Sequence, residues 1–212
     1  MRLAKSAALV FALLMSHSSL ASAAVSAAPP TVMVFGDSLA AGYGLPPDAA
    51  FPKRLDAKLH EMGVAAAVVG KGNSGDTSAG GLARIDAELA DKPSLVILEL
   101  GANDMLRGVE PDDVRANLDA MIKKIQASGA KVLLAGMLSA PNWGEDYKHD
   151  FDRIYPELAK ARGVTLYPFF LDGVAMDPAL NQPDGIHPNA KGVDVIVDRI
   201  APVVAKMLRG QS

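Results

Sequence analysis

Residues 31–44 read TVMVFGDSLAAGYG, and this stretch decides the fold. Thr31 to Phe35 is a short apolar run without polar alternation, the pattern of a strand covered on both faces. Gly36-Asp37-Ser38 ends the run, and Ala41-Gly42-Tyr43-Gly44 makes a glycine-rich turn. Runs of the same texture recur at 64–69, 94–100, 130–137 and 163–168. Any one of them could be a turn of buried helix, but their regular alternation with amphipathic stretches reads as strands. In 51–62, Phe51, Leu55, Leu59 and Met62 share one helical face. Val114, Leu118, Met121, Ile122 and Ile125 do so in 111–126, behind Pro111 at a helix start. Val193, Ile196, Val197, Ile200, Val204 and Met207 do so in 190–208. Residues 78–91 and 147–162 fit helices less cleanly. Gly63, Gly129 and Gly163 stand where helices end before a strand. Such alternation predicts an α/β fold, a parallel sheet between helical layers with right-handed crossovers. Ligands in such sheets bind beyond the carboxyl ends of the strands.

Bulk properties narrow the classes. Arg2 and Lys5, the apolar run 7–15 and Ala21-Ser22-Ala23 have the layout of a cleavable signal peptide over 1–23. The run is too short to span a bilayer, which takes about 20 apolar residues, so no stable membrane anchor is expected. A periplasmic or secreted location follows. Residues 24–30 read as a flexible mature N-terminus and 31–212 as one domain. The chain has no cysteine, which excludes a lipoprotein anchor, a disulfide and a thiol nucleophile. A formal charge of −3, with no basic cluster, does not suggest nucleic acid as a partner.

Chemistry is expected just after each strand. Ser38 follows the first by two residues, though capping is the commoner role of a strand-end serine. A nucleophilic serine needs a base within hydrogen-bond reach, and the base needs an orienting partner. Beyond the signal segment the chain has His60, His149 and His187. His60 lies on an amphipathic helix and His149 in a solvated polar stretch. His187 lies in a loop, three residues after Asp184, a separation at which a carboxylate can turn back to accept the Nδ1 proton. A turn Asp beside an incidental His is the competing reading. Charge developing on an attacked carbonyl oxygen needs fixed donors. Gly75 could offer a bare backbone N–H, Asn103 a side-chain amide, and Ser38 its own N–H at a helix start. Taken singly, Gly75 and Asn103 also read as turn residues.

Phe35-Gly36-Asp37-Ser38-Leu39, Gly75-Asp76-Thr77, Gly101-Ala102-Asn103-Asp104 and Asp184-Gly185-Ile186-His187-Pro188 together resemble the four sequence blocks of the SGNH (GDSL) hydrolase family. Leu82-Ala83-Arg84, Leu106-Arg107-Gly108 and Tyr155 to Lys160 are similar to its bacterial periplasmic thioesterase/lysophospholipase/arylesterase branch. The resemblance implies a flavodoxin-like three-layer α/β/α sandwich on a five-stranded parallel sheet, without a cofactor. It implies Ser38 as nucleophile, His187 as base and Asp184 as its orienter, with Ser38, Gly75 and Asn103 as oxyanion donors. The substrate would be a small-molecule or lipid acyl ester or thioester. Asp37 and Asp104 are expected to shape loops, and Asp76 to cap the helix 78–91. Met105, Leu138, Trp143 and Phe170 are candidates for an acyl groove by position. Ser139-Ala140-Pro141-Asn142 departs from the branch pattern, which leaves chain-length preference open.

Other readings compete. Gly70-Lys71-Gly72-Asn73-Ser74-Gly75 fits the dinucleotide fingerprint, with Glu99 as a ribose contact, yet it follows the second strand rather than the first. A metallophosphoesterase needs several converging histidines and carboxylates, and only one loop histidine is present. A sugar-ester deacetylase on the same site and a non-catalytic binding module of the same fold are the remaining alternatives. Substrate profiling separates the first, and an intact triad argues against the second.

Overall fold

The computed structural model describes residues 28–210. Five parallel strands form one sheet: β1 (Thr31–Gly36), β2 (Ala67–Gly72), β3 (Leu95–Glu99), β4 (Lys131–Ala135) and β5 (Thr165–Tyr167). Their order is β2-β1-β3-β4-β5, the flavodoxin-like arrangement, whose direction of winding reverses between β1 and β3. β3 is fully buried along its length, as its unbroken LVIL requires of a central strand with helices on both faces.

The helices are α1 (Ser38–Ala41), α2 (Phe51–Glu61), α3 (Ser78–Leu89), α4 (Ala102–Leu106), α5 (Pro111–Ala127), α6 (Glu145–Asp152), α7 (Ile154–Arg162) and α8 (Ala190–Leu208). α2 packs on α8 in one layer, while α3, α5 and α7 pack together in the other. The apolar stripes do this work. Leu55 and Leu59 of α2, Leu118, Met121 and Ile122 of α5, and Ile196 and Ile200 of α8 are at most 1% exposed. Truncating one such residue to alanine costs about 2–5 kcal/mol. Asn189 caps α8, its side chain accepting from the N–H groups of Lys191 and Gly192.

Every strand after β1 differs in its bounds from the apolar run that announced it, and β2 starts at Ala67 instead of 64. β2 runs to Gly72 instead of ending at 69, because its glycines serve close packing. A Cβ on Gly72 would stand 2.2 Å from the Ala41 nitrogen, and one on Gly70 would stand 2.9 Å from Pro52 Cγ. The glycine pattern read as a possible phosphate loop is thus partly strand, pressed against α1 and α2. The helix expected over 147–162 is broken at Arg153 into α6 and α7. β5 is only three residues long.

The expected signal segment, 1–23, and residues 24–27 lie outside the described residues. Among the described residues no helix is long and apolar enough to cross a membrane.

Candidate active site

Ser38 begins α1, immediately beyond the carboxyl end of β1. Asp37 caps that helix, its Oδ1 accepting the Leu39 N–H at 3.0 Å. From the far end of the chain, the loop before α8 brings His187 to the same point. His187 Nε2 lies 2.9 Å from Ser38 Oγ, and His187 Nδ1 lies 2.7 Å from Asp184 Oδ2.

The turn Asp184-Gly185-Ile186-His187 explains this geometry. Gly185 takes a φ of +74°, and Asp184 Oδ1 accepts the backbone N–H groups of Ile186 and His187 at 3.1 and 3.0 Å. These bonds, led by the one from the imidazole, hold the Asp184 carboxyl below its ordinary pKa. An ionised carboxylate only accepts, so Nδ1 carries the ring proton and Nε2 is free to accept the serine hydroxyl. Gln182 fastens this loop to the turn after Ser38, its amide donating to the carbonyls of Tyr43 and Pro188 at 2.8 and 3.0 Å. The Tyr43 ring lies 4.6 Å from the His187 ring, centre to centre. His60 and His149 are exposed and bond within their own helices' neighbourhoods, away from Ser38.

Two further loops frame the site. Gly75 has a φ of +85°; a Cβ there would meet only Arg107 Nη2, at 3.8 Å. Arg107 donates to the Gly75 carbonyl at 3.0 Å and fixes the peptide's orientation. Asn103 lies in the first turn of α4, behind Gly101, and its Nδ2 donates to Asp37 Oδ2 at 3.0 Å. Asp37 is buried, and burial pushes its pKa up to about 6 against the pull of its Leu39 and Asn103 hydrogen bonds. Asp104 accepts the N–H and the hydroxyl of Ser78, so Asp37 and Asp104 both shape loops as expected.

Two expectations need correction. Asp76 does not cap α3; Thr77 does, its Oγ1 accepting the Gly80 N–H at 3.2 Å. Asp76 instead pairs with Arg84 at 2.6 Å and accepts from Asn73. Phe170 does not line a groove. It is 1% exposed and packs edge-on against Phe51 in the core. Of the other groove candidates, Met105 is partly buried against the core, while Leu138 and Trp143 are exposed. The Trp143 ring covers Gly108, just beyond α4.

Sequence reasoning gave no role to Tyr43 or Gln182, named Arg107 only inside a family-like block, and offered the buried Glu99, whose Oε2 accepts the Asp37 N–H, only as a ribose contact. Tyr43 lay inside the glycine-rich turn already marked, which was the one available signal. Glu99 is sealed beneath α1, so it cannot be the ribose contact of a dinucleotide site. Among the described residues no group of three or more His, Cys, Asp or Glu side chains could hold a metal ion.

One small recess touches Ser38 and His187 on the Tyr43 side. The recess lined by Ser38, Leu39, Tyr43, His187 and their neighbours has a volume of about 10 Å³. A larger cleft of about 770 Å³ lies at the opposite end, by the amino ends of β4 and β5, far from this chemistry.

Residues 34–195, which hold every element of this constellation, match the GDSL-like Lipase/Acylhydrolase family. The chain belongs to that family. This acylhydrolase is 42% identical over 183 residues to Esterase TesA of Pseudomonas aeruginosa, covering 86% of this chain and 91% of that protein. It is 38% identical to Thioesterase 1/protease 1/lysophospholipase L1 of Escherichia coli, over 88% of each chain. Among solved structures, the acylhydrolase fold matches esterase EstA from Pseudoalteromonas sp., inhibited by monoethylphosphonate, with a TM-score of 0.80. The two are 34% identical over 84% of this chain and 98% of that one.

Proposed function

We propose that this protein is a serine hydrolase that cleaves carboxylic ester and thioester bonds through an acyl-enzyme on Ser38. The observation that carries the proposal is the hydrogen-bonded row Ser38 Oγ, His187 Nε2, His187 Nδ1, Asp184 Oδ2, with separations of 2.9 and 2.7 Å at its two links.

His187 takes the Ser38 proton as Oγ attacks the acyl carbonyl, and Asp184 stabilises the imidazolium that forms. The N–H groups of Ser38 and Gly75 and the Asn103 amide receive the oxyanion. Collapse expels the alcohol or thiol, which leaves with the proton from His187. Water, deprotonated by the same imidazole, then attacks the acyl-enzyme and frees the acid and Ser38. The cycle calls on no cofactor.

The exposed Leu138 and Trp143 support a small-molecule or lipid acyl substrate whose chain lies along the surface beside them. The activities named for the relatives, esterase and thioesterase/lysophospholipase, support the same range of leaving groups. The N-terminal sequence supports export, with cleavage after Ala23. N-terminal sequencing of the mature protein checks that site.

Turnover of a p-nitrophenyl ester by the wild type and by Ser38→Ala tests the proposal. The variant should lose nearly all activity while its circular dichroism stays unchanged. Undiminished turnover would remove Ser38 from the mechanism.

A further inference from the structure

The start of a helix leaves backbone N–H groups without partners inside the helix. At α1 most are satisfied. The Leu39 N–H binds Asp37 Oδ1, and the Ala41 N–H binds the Asp37 carbonyl at 3.0 Å. The Asp37 N–H binds Glu99 Oε2 at 3.3 Å, and the Ala40 N–H faces the same carboxyl. The Ser38 N–H takes no acceptor among the described residues, which leaves it free for a substrate oxygen.

Glu99 reaches this turn from another strand, and the sheet register shows how. Gly36 pairs with Glu99 across β1 and β3. A Cβ on Gly36 would stand 2.3 Å from Glu99 Oε2 and 2.9 Å from Ala40 Cβ. The missing side chain is the slot that the carboxyl fills. Glu99 is fully buried, and its Oε1 has no hydrogen-bond partner among the described residues. A buried acid with a free oxygen is a costly residue to keep for packing alone.

We propose that Glu99 is a positioning residue: its carboxyl, reaching across from β3, holds the Asp37–Ala40 backbone so that Ser38 presents Oγ to His187 and its N–H to the carbonyl under attack. The inference rests on Ser38 being the nucleophile. The surroundings of Glu99 favour its uncharged form. Burial, and then the nearby Asp37 charge, drive its pKa well above the ordinary carboxyl value. The other polar groups around it agree with an uncharged state. Asp104 and Asp37 are acidic, and the Tyr155 hydroxyl is committed to the Leu100 carbonyl at 2.9 Å. Arg84, which reaches the Gly36 carbonyl, is committed to that group, to the Lys71 carbonyl and to Asp76.

The test compares wild type, Ser38→Ala, Glu99→Gln and Glu99→Leu on p-nitrophenyl butyrate, with kcat and KM resolved and folding followed by circular dichroism. Glutamine keeps the acceptor oxygen; leucine keeps volume without it. Glu99→Gln should hold kcat within about threefold of wild type. Glu99→Leu should lower kcat at least about tenfold with KM nearly unchanged, as befits a group that acts on transition-state geometry. A folded Glu99→Leu with wild-type kcat overturns the proposal, as does a folded Glu99→Gln as impaired as the leucine variant. Should the leucine variant not fold, Glu99→Asp replaces it: the same acid, one methylene short of the Asp37 N–H, with the same loss expected and wild-type kcat overturning the idea. The Ser38→Ala arm separates the two claims. Activity retained there defeats the nucleophile assignment, whereas activity lost there and kept in the Glu99 variants defeats only the positioning role.

Discussion

Asp104 accepts two hydrogen bonds from Ser78, one from the backbone N–H and one from the hydroxyl, each 2.7 Å long. Asp104 follows Asn103, and Ser78 lies three residues beyond Gly75. One carboxylate therefore ties together the two loops that carry the proposed oxyanion donors. Asn117 steadies the link by donating to the Ser78 hydroxyl at 3.0 Å. Asp104→Ala leaves buried donors on Ser78 without acceptors, and the expected loss of stability is about 3 kcal/mol, read by urea denaturation. A loss well under about 1 kcal/mol would show that the loops are held by other means.

Asn103→Ala removes one of the three proposed donors to the oxyanion. Its kcat on an aryl ester should fall by roughly 10²–10³, while the protein stays folded. An effect confined to KM would assign Asn103 to ground-state binding instead.

Asp37 makes a prediction about pH. Its folded pKa of about 6 lies above the ordinary 3.8. The folded protein therefore binds this proton more tightly than the unfolded chain does. The stability contributed by the group is present at low pH and is lost as pH rises from about 4 through 6. Asp37→Asn removes the buried charge and keeps a capping oxygen. Relative to wild type it should gain as much as about 3 kcal/mol at pH 7, a gap that closes toward pH 4. The same variant should turn over more slowly, because its single oxygen stays on the Leu39 N–H and its NH2 group, placed where Asp37 Oδ2 stood, cannot accept from Asn103. Paired urea titrations at the two pH values check the claim, and a gap independent of pH would contradict it.

Trp143 is 45% exposed and lies over Gly108. If it walls the path of the acyl chain, Trp143→Ala should raise KM about tenfold for an octanoyl ester and leave a butanoyl ester nearly unaffected, in line with the 1–3 kcal/mol that one apolar contact typically discriminates. Equal effects on both chain lengths would place the indole outside the chain's path.

The sheet was legible because parallel strands carry continuous apolar runs, and α2, α5 and α8 because their apolar stripes are strict. The serine, histidine and aspartate were legible because each sits in a short block whose spacing is local. Contacts made across the fold left weaker marks. Gly70 and Gly72 looked like a loop since sequence does not show that α1 and α2 lie against them. Asp76 looked like a cap because Asp is a favoured capping residue, but Arg84, eight residues on, claims it. Phe170 looked available because nothing local reveals Phe51 beside it. Glu99 ended an apolar strand, and only the register with Gly36 explains a carboxyl there.

Each group proposed for the chemistry stands on a loop or at a helix start beyond the carboxyl ends of the strands, and none belongs to the sheet itself. Selectivity then rests on surface loops that the sheet does not need. Such a scaffold can change what it cuts by exchanging a few loop residues, leaving both its stability and its reactive centre intact.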